Sequence, residues 1–319
     1  MQAVQSIEID ETGQGHATTP GIAPAEGGVL CWTRVALSQE GAGDWLHQSG
    51  LDPLVVSALT AQDTRPRCTV HGDGALLNLR GVNLNPGDEV EDMVSVRLWI
   101  TGDAVVSAQL RRLMAVGDVW DSAMRGQGPV RTGDLVARLA LRLADRAEPV
   151  IAGLNERIDD IEDQVDQGPW AVSRADLADV RRMAIKLRRH IAPQRDALST
   201  FEIEDLPWIT HADRSRLREA VERVTRLSEE LDAIRDRAQV VQDQIMEHRS
   251  EVMNHQMLIL SVVAAIFLPL GLLTGLLGIN VGGMPGENDP RAFWIVTAGI
   301  VAVGLALYWI FRALGWLRR

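Results

Sequence analysis

Few residues in this chain could do chemistry. Seven histidines and two cysteines are its nitrogen and sulfur metal ligands, and they show none of the close pairing of a zinc motif. Cys31 and Cys68 stand too far apart for a paired site and read as reduced core thiols. His71 near Asp73 and His211 near Asp213 are the candidate metal pairs. No nucleophile–base pair, P-loop or dinucleotide fingerprint occurs, so the chain reads as a non-enzyme with no resident cofactor and no coupling to nucleotide hydrolysis. A second set of polar residues lies toward the C-terminus. It comprises Asp243, Glu247, Ser250 and Asn254, then Gly278-Ile279-Asn280, then Glu287 and Asp289.

The elements that carry this second set are unmistakable. Met257 to Ile279 is an uncharged run of 23 residues, long enough as a helix to cross a hydrocarbon layer of roughly 30 Å. A second uncharged run, 292–311, follows after a connection rich in Gly and Pro. Spans this close together must form a hairpin, since in lipid each segment has to satisfy its own backbone polar groups. His248 and Arg249 precede the first span, and Arg312, Arg318 and Arg319 follow the second. Basic residues at these outer ends place both termini in the cytoplasm of a bacterial inner-membrane protein. Trp294 at one end of the second span, and Tyr308, Trp309 and Trp316 at the other, suit membrane–water interfaces.

The remaining 250 or so residues lie outside the bilayer. The formal net charge of −11 argues against nucleic acid as a partner, which would require a basic face. Residues 1–27 are polar, have no signal-peptide pattern, and read as a flexible leader. Residues 28–130 read as an α/β domain with a sheet of four or five strands. Its strands fall at 29–37, 67–70, 75–79, 93–101 and 104–109, its helices at 42–51 and 53–61. Residues 131–256 are helical, with apolar residues at 3- and 4-residue steps over 132–167, 174–199 and from 213 onward. The third pattern meets neither Gly nor Pro until Pro269, so one helix of about 100 Å would run into the first span. So long a striped helix needs partners, and self-association is expected.

A stalk helix entering the first of two C-terminal spans, with Gly-x-Asn at its far end and a Met-Pro loop after it, resembles the CorA family of divalent-cation transporters. Here the residues are Gly278-Ile279-Asn280 and Met284-Pro285-Gly286. Ile279 and Gly286 depart from the magnesium branch and resemble the ZntB-type zinc branch. The 80–87 loop (Arg-Gly-Val-Asn-Leu-Asn-Pro-Gly) and the entry at 91–95 resemble that branch too. The resemblance implies a homopentamer with a cytoplasmic funnel, a pore lined by the first span, and a divalent metal ion as partner and cargo.

With that arrangement, the stripe back from Gly278 is Gly275, Gly271, Leu268, Ala264, Ser261 and Met257. Leu268 and Met257 would be apolar constrictions that gate by dewetting. Asn254, Ser250, Glu247 and Asp243 continue the stripe and would draw cations through the funnel. Asn280 is the expected selectivity residue, because a neutral carboxamide can hydrogen-bond the waters of a hydrated dication. Glu287 and Asp289 would form an acidic outer mouth, and Pro269 with Gly271 a hinge. Zinc is the expected cargo, driven by its own gradient, by the membrane potential or by a proton gradient. A magnesium or cobalt channel of the same fold, and a membrane-anchored helical scaffold, are the alternatives.

Overall fold

The computed structural model describes residues 2–24, 29–62, 65–167, 173–279, 286 and 289–314. The chain divides into two compact units, Met1–Val241 and Gln242–Arg319.

The first unit is built on a seven-stranded sheet. Its strands are β1 (Val4–Ile9), β2 (Gly15–Thr18), β3 (Leu30–Ala36), β4 (Arg67–His71), β5 (Gly74–Gly81), β6 (Val94–Ile100) and β7 (Ala104–Gln109). Their spatial order is β2-β1-β3-β7-β6-β5-β4. Neighbours pair antiparallel except β3 with β7, which run parallel. That parallel pair needs a crossover, and the chain supplies it through α1 (Ala42–Gln48), α2 (Pro53–Thr60) and the β4–β6 meander.

The expected leader is overturned by this sheet, because residues 4–18 form β1 and β2. Ile7 lies opposite Trp32 and Ile9 opposite Leu30, and all four are buried. A polar average composition hides this two-residue period, which becomes decisive only once β3 offers an edge. The count of strands is correspondingly seven where four or five were expected. The other expected strands and helices are found within a few residues of their expected bounds, and one helix, Met114–Met124, was not expected.

Each face of the sheet is covered. Ala42, Leu46, Val55, Val56 and Leu59 of α1 and α2 pack with Val35, Val106 and Ala108 of the sheet. Burying each of the valines and leucines among them stabilises the fold by about 1.5–3 kcal/mol. Asp52 caps α2 by accepting from the Leu54 amide at 2.7 Å, and Pro53 occupies the first helical position. Three further helices belong to this unit: α3 (Met114–Met124), α4 (Thr132–Gln167) and α5 (Arg174–Ile203). They bury the apolar stripes read from the sequence, including Leu135, Leu139, Leu143, Ile151, Leu154 and Ile158 on α4. Ser173 caps α5 through the Asp176 amide.

The long helix α6 spans His211–Leu277, and residues 211–241 belong to the first unit. Its first turn is locked to α4. Gly133 on α4 lies so close that a Cβ there would sit 2.7 Å from Cβ of Asp213. Farther along, the two helices are joined by ion pairs at heptad intervals of α6. Arg216 meets Asp134, Arg223 meets Asp145, and Arg237 meets Asp159 at 2.5 Å and also Glu162.

The second unit holds the remainder of α6 and α7 (Ala292–Ala313). Both helices are long and apolar enough to cross a membrane. They touch at Gly304, where an added Cβ would lie 3.6 Å from Cδ1 of Leu270. The small residue there lets the pair approach closely. Helix α6 is assigned continuously through Pro269.

Candidate ion pathway and metal-ligand candidates

The stripe on α6 can be followed within the second unit. Asp243, Glu247, Ser250, Asn254, Met257, Ser261, Ala264, Leu268, Gly271 and Gly275 are all exposed. The opposite side carries Val262, buried to 3 %. At 100° per residue these ten positions share one face of the helix, while most other residues of α6 beyond Gln242 are exposed as well. That face begins with polar and acidic groups and ends with small and apolar ones. Leu268 is 72 % exposed and Met257 53 %. An added Cβ at Gly271 or Gly275 would touch nothing within 4 Å.

Two residues of this face were missed by the sequence reading. Met246 and Met253, 58 % and 57 % exposed, lie eleven and four positions before Met257 and extend its row. Their spacing was available as a signal, but it was read only for polar groups.

At its C-terminal end the helix closes with Gly278, whose amide donates to the carbonyls of Thr274 at 2.9 Å and Gly275 at 3.2 Å. Ile279 follows and is exposed. Asn280 and Glu287 lie outside the described residues, as do Met284 and Pro285. Asp289 is described, and its carboxylate accepts from the Arg291 amide at 2.8 Å, capping the entry to α7. Gly286 has φ +88°, a conformation that strains any other side chain. Around α7, Phe293 and Trp294 meet edge to face, and the Arg312 guanidinium lies over the Trp309 ring at 5.5 Å. Such aromatic–cation pairs suit a membrane–water boundary.

The candidate metal pairs are not brought together. His71 Nε2 faces Asp52 at 3.4 Å, on the cap of α2, and not Asp73. His211 and Asp213 are two residues apart on one helix, so their side chains diverge; His211 is exposed and Asp213 fully buried. Asp213 is already satisfied. Arg131 Nε donates to both its oxygens at 3.1 Å, and the Thr210 amide and hydroxyl donate at 3.1 and 2.5 Å. Burial alone would raise its pKa, but these donors outweigh it and hold the carboxyl below its ordinary value. The Asp213 amide donates back to Thr210 Oγ1 at 3.2 Å, making a reciprocal cap for α6. Among the described residues no group of three or more His, Cys, Asp or Glu could hold a metal ion. A groove of about 390 Å³ beside α4 is lined by Asp134, Arg138, Arg142, Asp145, Arg216, Glu219 and Arg223, and its two aspartates are paired with arginines. Both cysteines are free thiols; Cys31 is buried in the core as expected, whereas Cys68, on β4, is only half-buried. Burial raises both, Cys68 to about 12.

Comparison with known proteins places these features in context. The family model described as "CorA-like Mg2+ transporter protein" matches residues 27–313. The chain is 40 % identical over 276 residues to the "Divalent cation transporter CmaX" of Pseudomonas aeruginosa, covering 86 % of this chain and 83 % of that protein. It is 34 % identical over 325 residues to the "Zinc transport protein ZntB" of Pectobacterium carotovorum, covering 98 % and 99 %. The solved full-length CmaX structure superposes with a TM-score of 0.83 at 34 % identity, covering 99 % of each chain.

Proposed function

This chain belongs to the CorA-like Mg2+ transporter protein family, in its ZntB branch, and on that footing we propose that it carries zinc across a bacterial inner membrane. The family is one of transporters, and passage of a divalent cation is the coarse function that membership gives. Zinc as the cargo is a finer reading, supported by the Gly278-Ile279-Asn280 sequence and by the likeness to proteins named for zinc transport.

The observation that carries the reading is the face of α6 from Asp243 to Gly275, on which polar and acidic groups give way to small and apolar ones. Five copies arranged around that face would enclose a pathway, which makes a homopentamer the natural assembly. Asp243, Glu247 and Asn254 would then gather hydrated dications by their charge and hydrogen-bonding capacity. Beyond them, rings of Met257 and Leu268 would exclude water when closed. At the outer end Asn280 would hold the ion through its hydration waters, and a carboxamide there releases a dication more readily than a carboxylate would. Glu287 and Asp289 would raise the local cation concentration at the mouth. The basic residues beside both spans put the termini and the sheet-bearing unit in the cytoplasm.

The test is zinc and magnesium uptake into proteoliposomes, at several pH gradients, for the native chain and Asn280→Ala. Zinc flux that follows the proton gradient and is lost or deregulated in the variant is the expected result. Equal magnesium flux driven by voltage alone would assign the chain to the magnesium or cobalt channel. A protein that reconstitutes but passes no metal would be the membrane-anchored scaffold.

A further inference from the structure

Three methionines of α6 form a line of their own. Met246, Met253 and Met257 are each more than half exposed, although methionine is among the residue types most often buried, as Met93 is here. At 100° per residue, steps of seven and then four positions keep all three within about 20° of Met246. Met246 and Met253 stand in a stretch that also holds Asp243, Glu247, Arg249 and Glu251, ahead of the uncharged run that opens at Met257. Contact with hydrocarbon therefore does not account for their exposure.

Thioether sulfur is a further kind of metal ligand, beside imidazole and thiolate. Met253 and Met257 are four positions apart on a continuous helix, so their Cβ atoms lie about 5–6 Å from each other. Each side chain has three rotatable bonds with which to bring its sulfur to a shared point. The two sulfurs are soft and polarizable, and thioethers select soft ions such as Cu(I). Magnesium keeps its waters and takes oxygen ligands instead. Two uncharged sulfurs also bring no negative charge to offset a dication, so a soft monocation is the better match. Asp243 and Glu247, upstream on the helix, add a negative potential that favours any cation here. Met246 lies seven residues, or about 10.5 Å, before Met253 along the helix axis, too far to share the same ion.

We propose that Met253 and Met257 form a two-sulfur site for a soft, thiophilic monocation of the Cu(I) class, where α6 passes from its charged to its uncharged stretch. Met246 is the next thioether on the same line. Both ligands come from one chain, so the site depends neither on zinc as cargo nor on a particular assembly.

The test is anaerobic titration of the full-length protein in detergent with Cu(I), in competition with a chromogenic Cu(I) chelator. The native chain is compared with Met253→Leu, Met257→Leu and the double variant. Leucine keeps nearly the same volume and apolarity, so packing and water exclusion survive while the sulfur is lost. Cys31 and Cys68 are present in every sample, and their own copper cancels in the comparison. The expected result is one Cu(I) per chain whose affinity falls about tenfold or more in each single variant and which disappears in the double variant. Met93→Leu, at a buried methionine of the first unit, should leave it unchanged, and equimolar zinc or magnesium should not displace it. Equal Cu(I) binding by the native chain and the double variant would overturn the proposal, as would an equal loss in Met93→Leu. A double variant that loses copper together with its native size-exclusion profile would also overturn it, by assigning the row to packing between copies of the chain.

Discussion

The most exacting prediction concerns Asp213, because its structural and metal-binding readings demand opposite results. Replacing it by alanine removes the acceptor for Arg131, with contacts of 3.0–3.1 Å, and for the amide and hydroxyl of Thr210. Breaking a buried ion pair by removing one partner costs about 3–5 kcal/mol. Arg131 is 37 % exposed on its side chain, so the freed guanidinium rehydrates and the loss falls at the low end, about 3 kcal/mol. For a unit of this size that is roughly 6–12 °C in melting midpoint. The measurement is thermal unfolding of the full-length protein, followed by tryptophan fluorescence, for Asp213→Ala, Arg131→Ala and the double variant. The double variant should lie about 1 kcal/mol or more closer to native than the sum of the singles. Additive effects, or an unchanged midpoint, would refute the reasoning. So would a zinc-induced rise in midpoint that Asp213→Ala abolishes, since that would mark the residue as a ligand.

The pH dependence follows with a definite sign. Asp213 has a lowered folded-state pKa, so its contribution is complete above the ordinary carboxyl value and disappears as pH falls through the folded one. The gap between native and Asp213→Ala midpoints should therefore be constant from pH 6 to 8 and close in strong acid. Gly133→Ala should cost about 1–3 kcal/mol through overpacking, because its Cβ would stand 2.7 Å from Asp213, and calorimetry would register it. Arg237→Ala removes partly exposed pairs with Asp159 and Glu162, so the expected loss is about 1 kcal/mol or less and shrinks in high salt. Cys68, held near 12 by burial, should react slowly with maleimide at pH 7 and rapidly after unfolding.

How much of this was legible beforehand depended on the range of the forces involved. The two spans, the 132–167 helix and the central strands follow from periodicity and from the cost of burying polar backbone in lipid, both properties of contiguous residues. The α6 stripe was likewise countable, although Met246 and Met253 were passed over because only polar groups were sought upstream of Met257. The metal pairs His71–Asp73 and His211–Asp213 failed for the opposite reason, since closeness in sequence says little about which way side chains point. Asp52 and Arg131, the partners that His71 and Asp213 actually found, lie 19 and 82 positions away.

The sequence by itself determined that two C-terminal helices are long and apolar enough to cross a membrane, that a mixed sheet precedes them, and that α6 carries a continuous stripe. These are decided by hydrophobic period and length, which act along the chain. Only the tertiary structure decided that residues 4–18 are strands, because β1 exists by pairing with β3. It alone showed that Asp213 is a cap and an ion-pair partner for Arg131, and that buried Arg97 donates to the Ala61 carbonyl at the end of α2. Each depends on desolvation and hydrogen bonding between segments far apart in the chain, and those energies are fixed only when the fold brings the segments together.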